Sequence, residues 1–329
     1  MSRGAVALAV LLLGAACGGV EVSERPIRAT GPATLLFAAS ENGGGWEIYV
    51  EDVESGRRTD LTRTPPSGRI EADDRSPALS HDAKLIAFTS TADHMSDGAV
   101  DEEIFVMERD GGKPLRLTND DDADVEPQWT PDGRIVFTTC PSSQEGLAVC
   151  RLDAITPDGS GRETLLDDLG LASGVALSPG GDRVAYSRYD ETLRPLGIFV
   201  RTIGREEGEA VADGAGAQWS PDAERIAFLS ARDRNGPCLF DCTGSAPELY
   251  VMDADGSDQT RLTETIESEA FVSWTPDGEW LLVSRIRDEE DDYDVFAIRP
   301  DGSCEVKVTD TDAWEWSPTW IGPTESLSC

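Results

Sequence analysis

The sequence contains few of the residues from which enzymes build active sites. Its 329 residues include two histidines, His81 and His94, and none of the HExxH, GxSxG or Walker sequences. Two histidines are too few for a histidine-rich metal centre, and His94 has no obvious partner in its loop. We therefore expect a protein without catalytic activity, although a fold never excludes one.

Basic residues are also scarce. Lysine and arginine number 28 against 63 acidic residues, and Arg3 is the only charged side chain in residues 1–16. The chain beyond residue 16 therefore has a net charge of −36. Such a surface repels phosphate backbones and anionic headgroups, which argues against nucleic acid as a partner. Solubility alone is the simpler explanation of the charge.

The one long apolar run lies at the amino terminus. Residues 1–16, "MSRGAVALAVLLLGAA", have one basic residue, a short apolar core and small residues before Cys17. This pattern is typical of a secretory signal and is too short to span a bilayer. "GAAC" resembles a bacterial lipobox with Gly14 in place of leucine, so we expect a lipid on Cys17 and a tether over residues 17–33. Cleavage after Ala16 without lipidation is the alternative.

The cysteine count favours the lipid. Without Cys17, six of the seven cysteines remain, an even number in an exported protein, where disulfides are expected. The predicted disulfides join hairpin neighbours, loop neighbours and the remaining two cysteines: Cys140 with Cys150, Cys238 with Cys242, and Cys304 with Cys329. A metal or redox site in the CxxxC loop is the alternative, although no second cysteine pair or histidine lies nearby.

One sequence unit recurs six times. It predicts a strand, a glycine turn and a second strand, because β-branched and aromatic residues flank each turn. The copies are "EIYVEDVESGRRTDLT" (47–62), "EIFVMERDGGKPLRLT" (103–118), "GLAVCRLDAITPDGSGRETLL" (146–166), "GIFVRTIGREEGEAVA" (197–212), "ELYVMDADGSDQTRLT" (248–263) and "DVFAIRPDGSCEVKVT" (294–309).

The fifth copy also contains a carboxylate pattern. Asp253, Asp255 and Asp258 surround Gly256, and Glu264 falls twelfth from Asp253, as in an EF-hand calcium loop. Such a loop needs a helix on each side, whereas both flanks here are typical of strands. The sequence therefore favours a hairpin turn with a positive φ at Gly256 over a calcium site.

A second unit precedes most copies of the first. It places a Pro-Asp-Gly turn, or a variant, between two apolar runs: "PALSHDAKLIAFTS" (77–90), "PQWTPDGRIVFTT" (127–139), "VALSPGGDRVAYSR" (175–188), "AQWSPDAERIAFLS" (217–230) and "VSWTPDGEWLLVSR" (272–285). Proline presets the first corner of the turn and Asp caps its own backbone, so each unit predicts two strands joined by a tight turn.

Together the two units give four strands per repeat. The turn prolines and their equivalents fall at residues 81, 131, 179, 221, 276 and 318, with His81 in the first place. Four strands at this period predict an all-β fold, a β-propeller. The first copy, from Thr34, lacks the turn unit, and the last segment, "WEWSPTW" from Trp314, consists of that unit alone. We expect this C-terminal segment to pair into the N-terminal blade and close a six-bladed ring.

The repeats share the pattern "WSPDG…IAF.S…IYVMD.DG…LT" from Thr34 to Ile321, with "SHDA" and "SPGG" as departures in two of five copies. This pattern resembles the repeat of the TolB-like six-bladed β-propellers. The resemblance implies a propeller domain at residues 34–322, followed by a tail at 323–329. It concerns the propeller part of TolB only.

The lengths of the connections predict which face of the blades binds a partner. The Pro-Asp-Gly and Asp-Gly turns are short and fall on one face, because an antiparallel blade reverses direction at every turn. The longer connections fall on the opposite face: 91–103, 188–197, 232–248 and 287–294. Insertions confined to one face of a repeat ring mark its binding face.

Acidic residues are expected around the channel mouth on that face. Asp74, Asp124 and Glu269 each lie seven residues before a turn proline or its equivalent. Like charges at such an opening attract a cation, with calcium as the candidate, or a basic peptide. Trp314 and Glu315, at the start of the closing strand, are further candidates for partner contact. Solvated loop acids without a function are the alternative.

These features predict a membrane-anchored lipoprotein of the bacterial cell envelope, facing the periplasm or the cell surface. Its propeller would be a non-catalytic docking platform for another envelope protein or a peptide, and the acidic surface favours a basic partner. No cofactor is expected, calcium aside. The alternative is a cation-dependent enzyme or a carbohydrate-binding protein that uses carboxylates at the channel mouth.

Overall fold

The computed structural model describes most of the chain beyond the amino terminus. It covers residues 33–40, 45–62, 72–91, 102–141, 149–233, 246–286 and 292–329, together with the backbone of Val22–Ser23. These residues form strands, turns and loops and contain no helix. The predicted all-β class is therefore confirmed.

Twenty-four strands lie in the described residues. They are β1 (Val22–Ser23), β2 (Thr34–Ser40), β3 (Glu47–Asp52), β4 (Arg57–Asp60), β5 (Asp74–Leu79), β6 (Leu85–Ser90), β7 (Glu103–Glu108), β8 (Leu115–Arg116), β9 (Asp122–Trp129), β10 (Ile135–Pro141), β11 (Cys150–Ile155), β12 (Glu163–Leu177), β13 (Arg183–Tyr189), β14 (Pro195–Thr202), β15 (Glu209–Ala212), β16 (Ala215–Trp219), β17 (Arg225–Ser230), β18 (Glu248–Asp253), β19 (Thr260–Arg261), β20 (Glu269–Trp274), β21 (Leu281–Ile286), β22 (Tyr293–Ile298), β23 (Glu305–Lys307) and β24 (Trp314–Ile321).

Most of these strands form antiparallel groups of four. Group 1 is β24, β2, β3 and β4; group 2 is β5 to β8; group 3 is β9, β10, β11 and the first half of β12; group 4 is the second half of β12, β13, β14 and β15; group 5 is β16 to β19; and group 6 is β20 to β23. Strand β12 serves two groups, because residues 163–170 pair with β11 and residues 171–177 pair with β13.

The two ends of the chain meet in group 1. Strand β24 pairs antiparallel with β2, from Thr34 opposite Ile321 to Ser40 opposite Trp314. The C-terminal segment is thus the first strand of the N-terminal group, in the place that the sequence predicts. One parallel bridge, from Tyr293 to Trp314, also joins group 6 to β24.

The first strand of every group described contains the same bulge. Two of its residues fall out of register with the second strand, and the first of the two has a positive φ: Ser76, Glu126, Gly174, Gly216, Phe271 and Ser317. Such a bulge bends the strand and re-aims its side chains. Four of the six residues are not glycine, so the surrounding packing must hold this unfavourable conformation.

The bulge corrects one prediction about the repeats. Ser317 occupies the bulge of β24, so Pro318 aligns with Pro127 rather than with the turn proline Pro131. Gly322 takes the turn position in this repeat. The predicted alignment was wrong because proline suits both places: a bulged residue donates no ladder hydrogen bond, and a turn corner needs none.

The core lies where neighbouring groups pack together. The aromatic residue of each "IAF"-type run is almost wholly buried in the second strand, as at Phe37, Phe88, Phe137, Tyr186 and Phe228. Burying one such side chain stabilises the fold by about 1.5–3 kcal/mol. Clusters that combine side chains of adjacent groups follow from this packing, such as Leu36, Ile48 and Phe88 between groups 1 and 2.

Two disulfides lie in the described residues. One joins Cys140 on β10 to Cys150 on β11, with their Cα atoms 4.3 Å apart. The other joins Cys304, next to β23, to Cys329 in the tail, with a Cα separation of 6.1 Å. Both are the pairs that the sequence predicts.

Several predictions fall outside the described residues. They concern the signal segment 1–16, the lipid site at Cys17, His94, the disulfide between Cys238 and Cys242, and most of the longer connections. These stay predictions.

The turn at Asp253 to Gly256 is a hairpin, and the calcium-loop alternative is wrong. Strands β18 and β19 lie on either side, and the amide of Gly256 donates to the carbonyl of Asp253 over 2.9 Å. Gly256 has a φ of +87°, and a Cβ there would lie 2.8 Å from the carbonyl oxygen of Val211. Only glycine fits both the conformation and the contact.

Candidate functional site

The alternating strands give the groups two distinct ends. At one end, which we call the entry end, the first strand of each group begins. The residues at which it begins are Trp314, Asp74, Asp122, Leu171, Ala215 and Glu269. The turn end holds the tight turns at residues 81–83, 131–133, 179–181, 221–223 and 276–278. The second strands end and the third strands begin at the entry end, as do the strands on either side of each link between groups.

Four carboxylates occupy one register at the entry end. Asp74, Asp124 and Glu269 lie at the predicted position, and Glu315 lies there too, because Gly322 is the turn equivalent of its repeat. The sequence contained this signal, seven residues before Gly322, but the misplaced turn at Pro318 hid it. In groups 4 and 5 the same position is taken by Ala172 and Gly214.

Glu269 shows what these carboxylates do. It is 2% exposed, and its Oε2 accepts hydrogen bonds from the Thr263 hydroxyl (2.7 Å) and the Leu249 amide (2.8 Å) in group 5. Its Oε1 pairs with Arg285 of its own group at 2.6 Å. The side chain therefore ties the first strand of group 6 to the third strand of group 5.

The next two carboxylates are held in the same manner. Glu315 pairs with Arg58 and accepts from the Thr309 hydroxyl of group 6. Asp124 accepts from Arg162 through both carboxylate oxygens, at 3.0 and 3.1 Å. Burial raises the pKa of Asp124 to about 6, although Thr139 and Arg162 oppose the shift. All three carboxylates thus have an arginine partner.

Asp74 is the exception among the four. It is 4% exposed, and its Oδ1 is buried without a hydrogen-bond partner. Burial raises its pKa to about 7, the charges of Glu47 and Asp73 add to the shift, and the hydroxyls of Ser90 and Thr62 oppose it. The carboxylate therefore lies in a site that favours its neutral form.

These positions correct the prediction of an acidic channel mouth. The carboxylates are buried at the contacts between groups, where three of them pair with arginine, and they do not stand open to solvent. In the part of the chain described, no three His, Cys, Asp or Glu residues are arranged to hold a metal ion. The register was predicted correctly, and three of its four carboxylates are paired with arginine; that it attracts a cation stays a prediction.

Aromatic side chains gather at the entry end of groups 6 and 1. We call Trp46, Phe271, Tyr293, Trp314 and Trp316 the aromatic patch. The ring centroids of Trp46 and Trp316 are 4.1 Å apart, and those of Phe271 and Trp316 are 4.8 Å apart. Tyr293 lies 5.9 Å from Trp314 in an edge contact. These separations suit direct aromatic packing.

The aromatic patch is open on one side. Phe271 and Trp314 are each 37% exposed. Phe271 lies at the bulge of β20 with a φ of +50°, which turns a large apolar side chain outward at some conformational cost. Of the patch, the sequence predicted only Trp314; Trp316 follows it on β24, whereas Trp46, Phe271 and Tyr293 come from other parts of the chain.

Other exposed apolar side chains lie at the same end. Val149, Leu193, Leu196 and Ile266 are 50–68% exposed; Leu196 lies at the start of β14, and the other three belong to connections at the entry end. Leu115, on the outer strand β8, is the remaining large apolar side chain of this kind in the described residues. An apolar surface concentrated on one end of a soluble protein marks a contact region.

Buried polar atoms without a partner also concentrate there. Four of the six found in the described residues lie at the start of a first strand: Oδ1 of Asp74, Nε of Arg75, Oγ of Ser268 and Nε1 of Trp316. Buried polar groups are nearly always hydrogen-bonded to protein or to ordered water, so the side-chain hydrogen bonding of the described residues is least complete at this end.

Comparisons with known proteins agree with this fold. No protein-family model matches the chain. The chain is 31% identical over 312 residues to the Tol-Pal system protein TolB of Anaeromyxobacter dehalogenans, covering 83% of this chain and 67% of that protein. It is 26% identical over 208 residues to a TolB homolog of Chlorobium luteolum and 24% identical over 193 residues to an uncharacterized protein of Agrobacterium fabrum. These matches cover 61% and 58% of this chain, and 43% and 60% of the two relatives.

Solved structures give the same result for the backbone. TolB from Acinetobacter baumannii aligns with a TM-score of 0.63 at 16% identity, over 89% of this chain and 68% of that chain. A putative TolB from Agrobacterium tumefaciens aligns with a TM-score of 0.62 at 14% identity, over 90% of this chain and 99% of that chain. Likeness at this identity shows the fold alone.

The strand groups and these neighbours define a protein of the β-propeller class. The chain belongs to the TolB-like β-propeller family. Within the described residues, no helix has the length and apolar character that a membrane span requires.

Proposed function

We propose that this protein is a non-catalytic docking protein of the bacterial cell envelope, anchored by a lipid on Cys17. In this proposal the six strand groups form a closed six-bladed ring, and the entry end binds a protein or peptide partner. The observation that carries the proposal is the aromatic patch, with Phe271 and Trp314 each 37% exposed.

The patch has the chemistry of a protein-binding surface. Tryptophan, tyrosine and arginine dominate the residues that contribute most to protein interfaces. The guanidinium of Arg75 lies 5.6 Å from the ring centroid of Trp46. Nε1 of Trp316 and Nε of Arg75 are buried donors without a hydrogen-bond partner in the described residues.

The carboxylates support docking over the alternative of a cation-dependent enzyme or a carbohydrate-binding protein. A cation site at the channel mouth needs carboxylates that are free to coordinate an ion. Glu269, Glu315 and Asp124 are instead paired with arginine at the contacts between groups. The acidic surface of the chain favours a partner with basic residues around its binding segment.

The envelope location rests on two observations. Residues 1–17 have the pattern of a lipoprotein signal, and one relative is named a Tol-Pal system protein. Changing Cys17 to Ser should move the protein from the membrane fraction to the soluble fraction. Membrane association that is unchanged in the Cys17→Ser variant would contradict lipidation at this residue.

The docking surface can be tested with a double variant, Phe271→Ala with Trp314→Ala. Proteins that cross-link to the full-length chain in its native envelope are captured, identified, and then measured for binding to the purified chain. Because two exposed aromatic side chains are removed from the contact, we expect affinity for the partner to fall by about tenfold or more.

The matched control is Leu115→Ala. Leu115 is an apolar side chain that is 51% exposed, so it is at least as accessible as Phe271 and Trp314. It lies away from the patch, on the outer strand β8. Binding should be unchanged in this variant. Equal loss in both variants, or no loss in the double variant, would show that the aromatic patch is not the docking surface.

A further inference from the structure

Asp74 differs from the carboxylates that share its register. Glu269, Glu315 and Asp124 each have an arginine partner. On the neighbouring second strand, Arg285 lies opposite Glu269, whereas Ser90 lies opposite Asp74. A serine hydroxyl cannot compensate a buried negative charge, so among the described residues Asp74 has no counterpart of the ion pair found at three other contacts.

The charges that face Asp74 are mostly negative. Glu47, at the start of β3, and Asp73, next to it on the chain, both act on its carboxylate. Arg75 is the nearby cation, and its Nη2 donates to Asp73 over 3.1 Å. Glu102, before β7, also lies close to Asp73 and Arg75.

In the part of the chain that the structure describes, the other strands that pack on β5 bring no free cation to this place. Strand β9 contributes Asp124, which Arg162 holds, and β24 contributes Glu315, which Arg58 holds. Ionised Asp74 would therefore be repelled by Glu47 and Asp73, and of the described cations only Arg75 lies close enough to both aspartates to compensate them.

Asp74 and its neighbours also fix Trp46 of the aromatic patch. The amide of Asp74 donates to the carbonyl of Trp46 over 2.7 Å, and the amide of Trp46 donates to Oδ1 of Asp73 over 3.1 Å. Trp46 in turn lies 4.1 Å from Trp316 between ring centroids. A change in charge at Asp74 thus acts directly on a residue of the aromatic patch.

We propose that Asp74 is a pH-dependent latch for Trp46. In its protonated form it allows the contact between groups 1 and 2 to close, with Trp46 held in the aromatic patch. When Asp74 loses its proton, repulsion from Glu47 and Asp73 opens the two hydrogen bonds and releases Trp46. The latch itself needs no partner; its effect on docking rests on the proposed function.

The direction of the effect follows from proton linkage. Burial raises the pKa of Asp74 to about 7, from 3.8 for an exposed aspartate, so the closed form binds the proton more tightly than the open form. The equilibrium constant for opening should rise by roughly tenfold per pH unit between about pH 4 and pH 7, and level off above. The patch is therefore most ordered at acidic pH.

Hydrogen exchange of the full-length protein tests the latch without any partner. The protection of the Trp46 and Asp74 amides is compared at pH 5 and pH 8, after correction for the intrinsic exchange rate. We expect protection to fall by a factor on the order of 50–100 in the native protein. In Asp74→Asn, which cannot ionise, the protection of Trp46 should be the same at both values of pH.

Asp124→Asn is the matched control, because Asp124 occupies the same register in group 3. This variant should keep the pH-dependent loss of protection at Trp46. If Asp74→Asn does not fold, carboxyl NMR titration of the native protein replaces it, and Asp74 must titrate together with the Trp46 amide shift. A native protein whose Trp46 protection is independent of pH, or an Asp74→Asn variant that keeps the dependence, would overturn the latch. Loss of partner binding has no bearing on these measurements, so the docking proposal and the latch fail independently.

Discussion

The two ends of the strand groups differ in how uniform their chemistry is. At the turn end, a hydroxyl directly before each of the five tight turns donates to an aspartate in the turn or, at Asp182, directly after it: Ser80–Asp82, Thr130–Asp132, Ser178–Asp182, Ser220–Asp222 and Thr275–Asp277. At the entry end, one register holds Glu315, Asp74, Asp124, Ala172, Gly214 and Glu269. The tight turns thus repeat one hydrogen-bonding arrangement, whereas the residue type at this position of the entry end differs from group to group.

The pKa values of the carboxyl groups also differ between the two ends. The side chain of Lys84, followed by the hydroxyl of Ser80, lowers the pKa of Asp82 at the turn end to about 2. At the entry end, burial raises the pKa of Asp74 to about 7 and that of Asp124 to about 6. Turn aspartates are exposed and hydrogen-bonded, whereas entry carboxylates are buried.

This difference explains which end is available for function. A tight turn imposes the same backbone requirement on every group, so its residues are fixed by local geometry. The entry end has longer connections. Its structural requirement is that neighbouring groups stay in contact, and several combinations of residues meet this requirement. Aromatic side chains, unpartnered polar atoms and an unpaired carboxylate can therefore accumulate there.

The largest loss of stability is expected from breaking a buried ion pair at the entry end. Arg285 is 4% exposed in its side chain and pairs with Glu269 and Glu305, each over 2.6 Å. Replacing it in Arg285→Met leaves two carboxylates buried without a counter-ion, so the free energy of unfolding should fall by about 3–5 kcal/mol. Urea denaturation measures this change.

Two further variants sharpen that result. Adding Glu269→Gln to Arg285→Met removes one uncompensated charge and should recover part of the lost stability. Lys84→Met breaks an exposed pair at the turn end, where the Lys84 side chain is 74% exposed, and should leave the free energy of unfolding almost unchanged. Equal losses for Arg285→Met and Lys84→Met would remove the distinction between the two ends.

The fold could be predicted from sequence because its signals are local. Each Pro-Asp-Gly turn and each Asp-Gly turn fixes a reversal within a few residues, and the apolar runs between them fix the strands. The bulge in the first strands was missed, since its positive φ occurs at Ser76, Glu126 and Phe271 as well as at glycines. No residue type marks it.

The site was predicted only in part because it is assembled from distant segments. The arginine partners of the entry carboxylates come from different places in their groups: Arg58 on β4, Arg162 before β12 and Arg285 on β21. They share no spacing with the carboxylates. The aromatic patch likewise joins Trp46 to residues more than two hundred positions later, so only packing brings it together.

A smaller effect than that of Arg285→Met is expected from a hydrogen bond at the turn end, with the opposite dependence on pH to that of Asp74. The hydroxyl of Ser220 donates to Asp222 over 2.5 Å and accepts from the amide of Arg225 over 2.9 Å. Ser220→Ala leaves that buried amide without its acceptor, so it should cost about 1–2 kcal/mol. The hydrogen bond from Ser220 also lowers the pKa of Asp222, so its contribution is present above the unfolded pKa of about 4 and is lost as pH falls. Urea denaturation of both proteins at pH 7 and pH 3 should therefore show a smaller gap at pH 3. A gap that grows on acidification would mean that the turn aspartates resemble Asp74, and that the two ends do not differ in proton affinity.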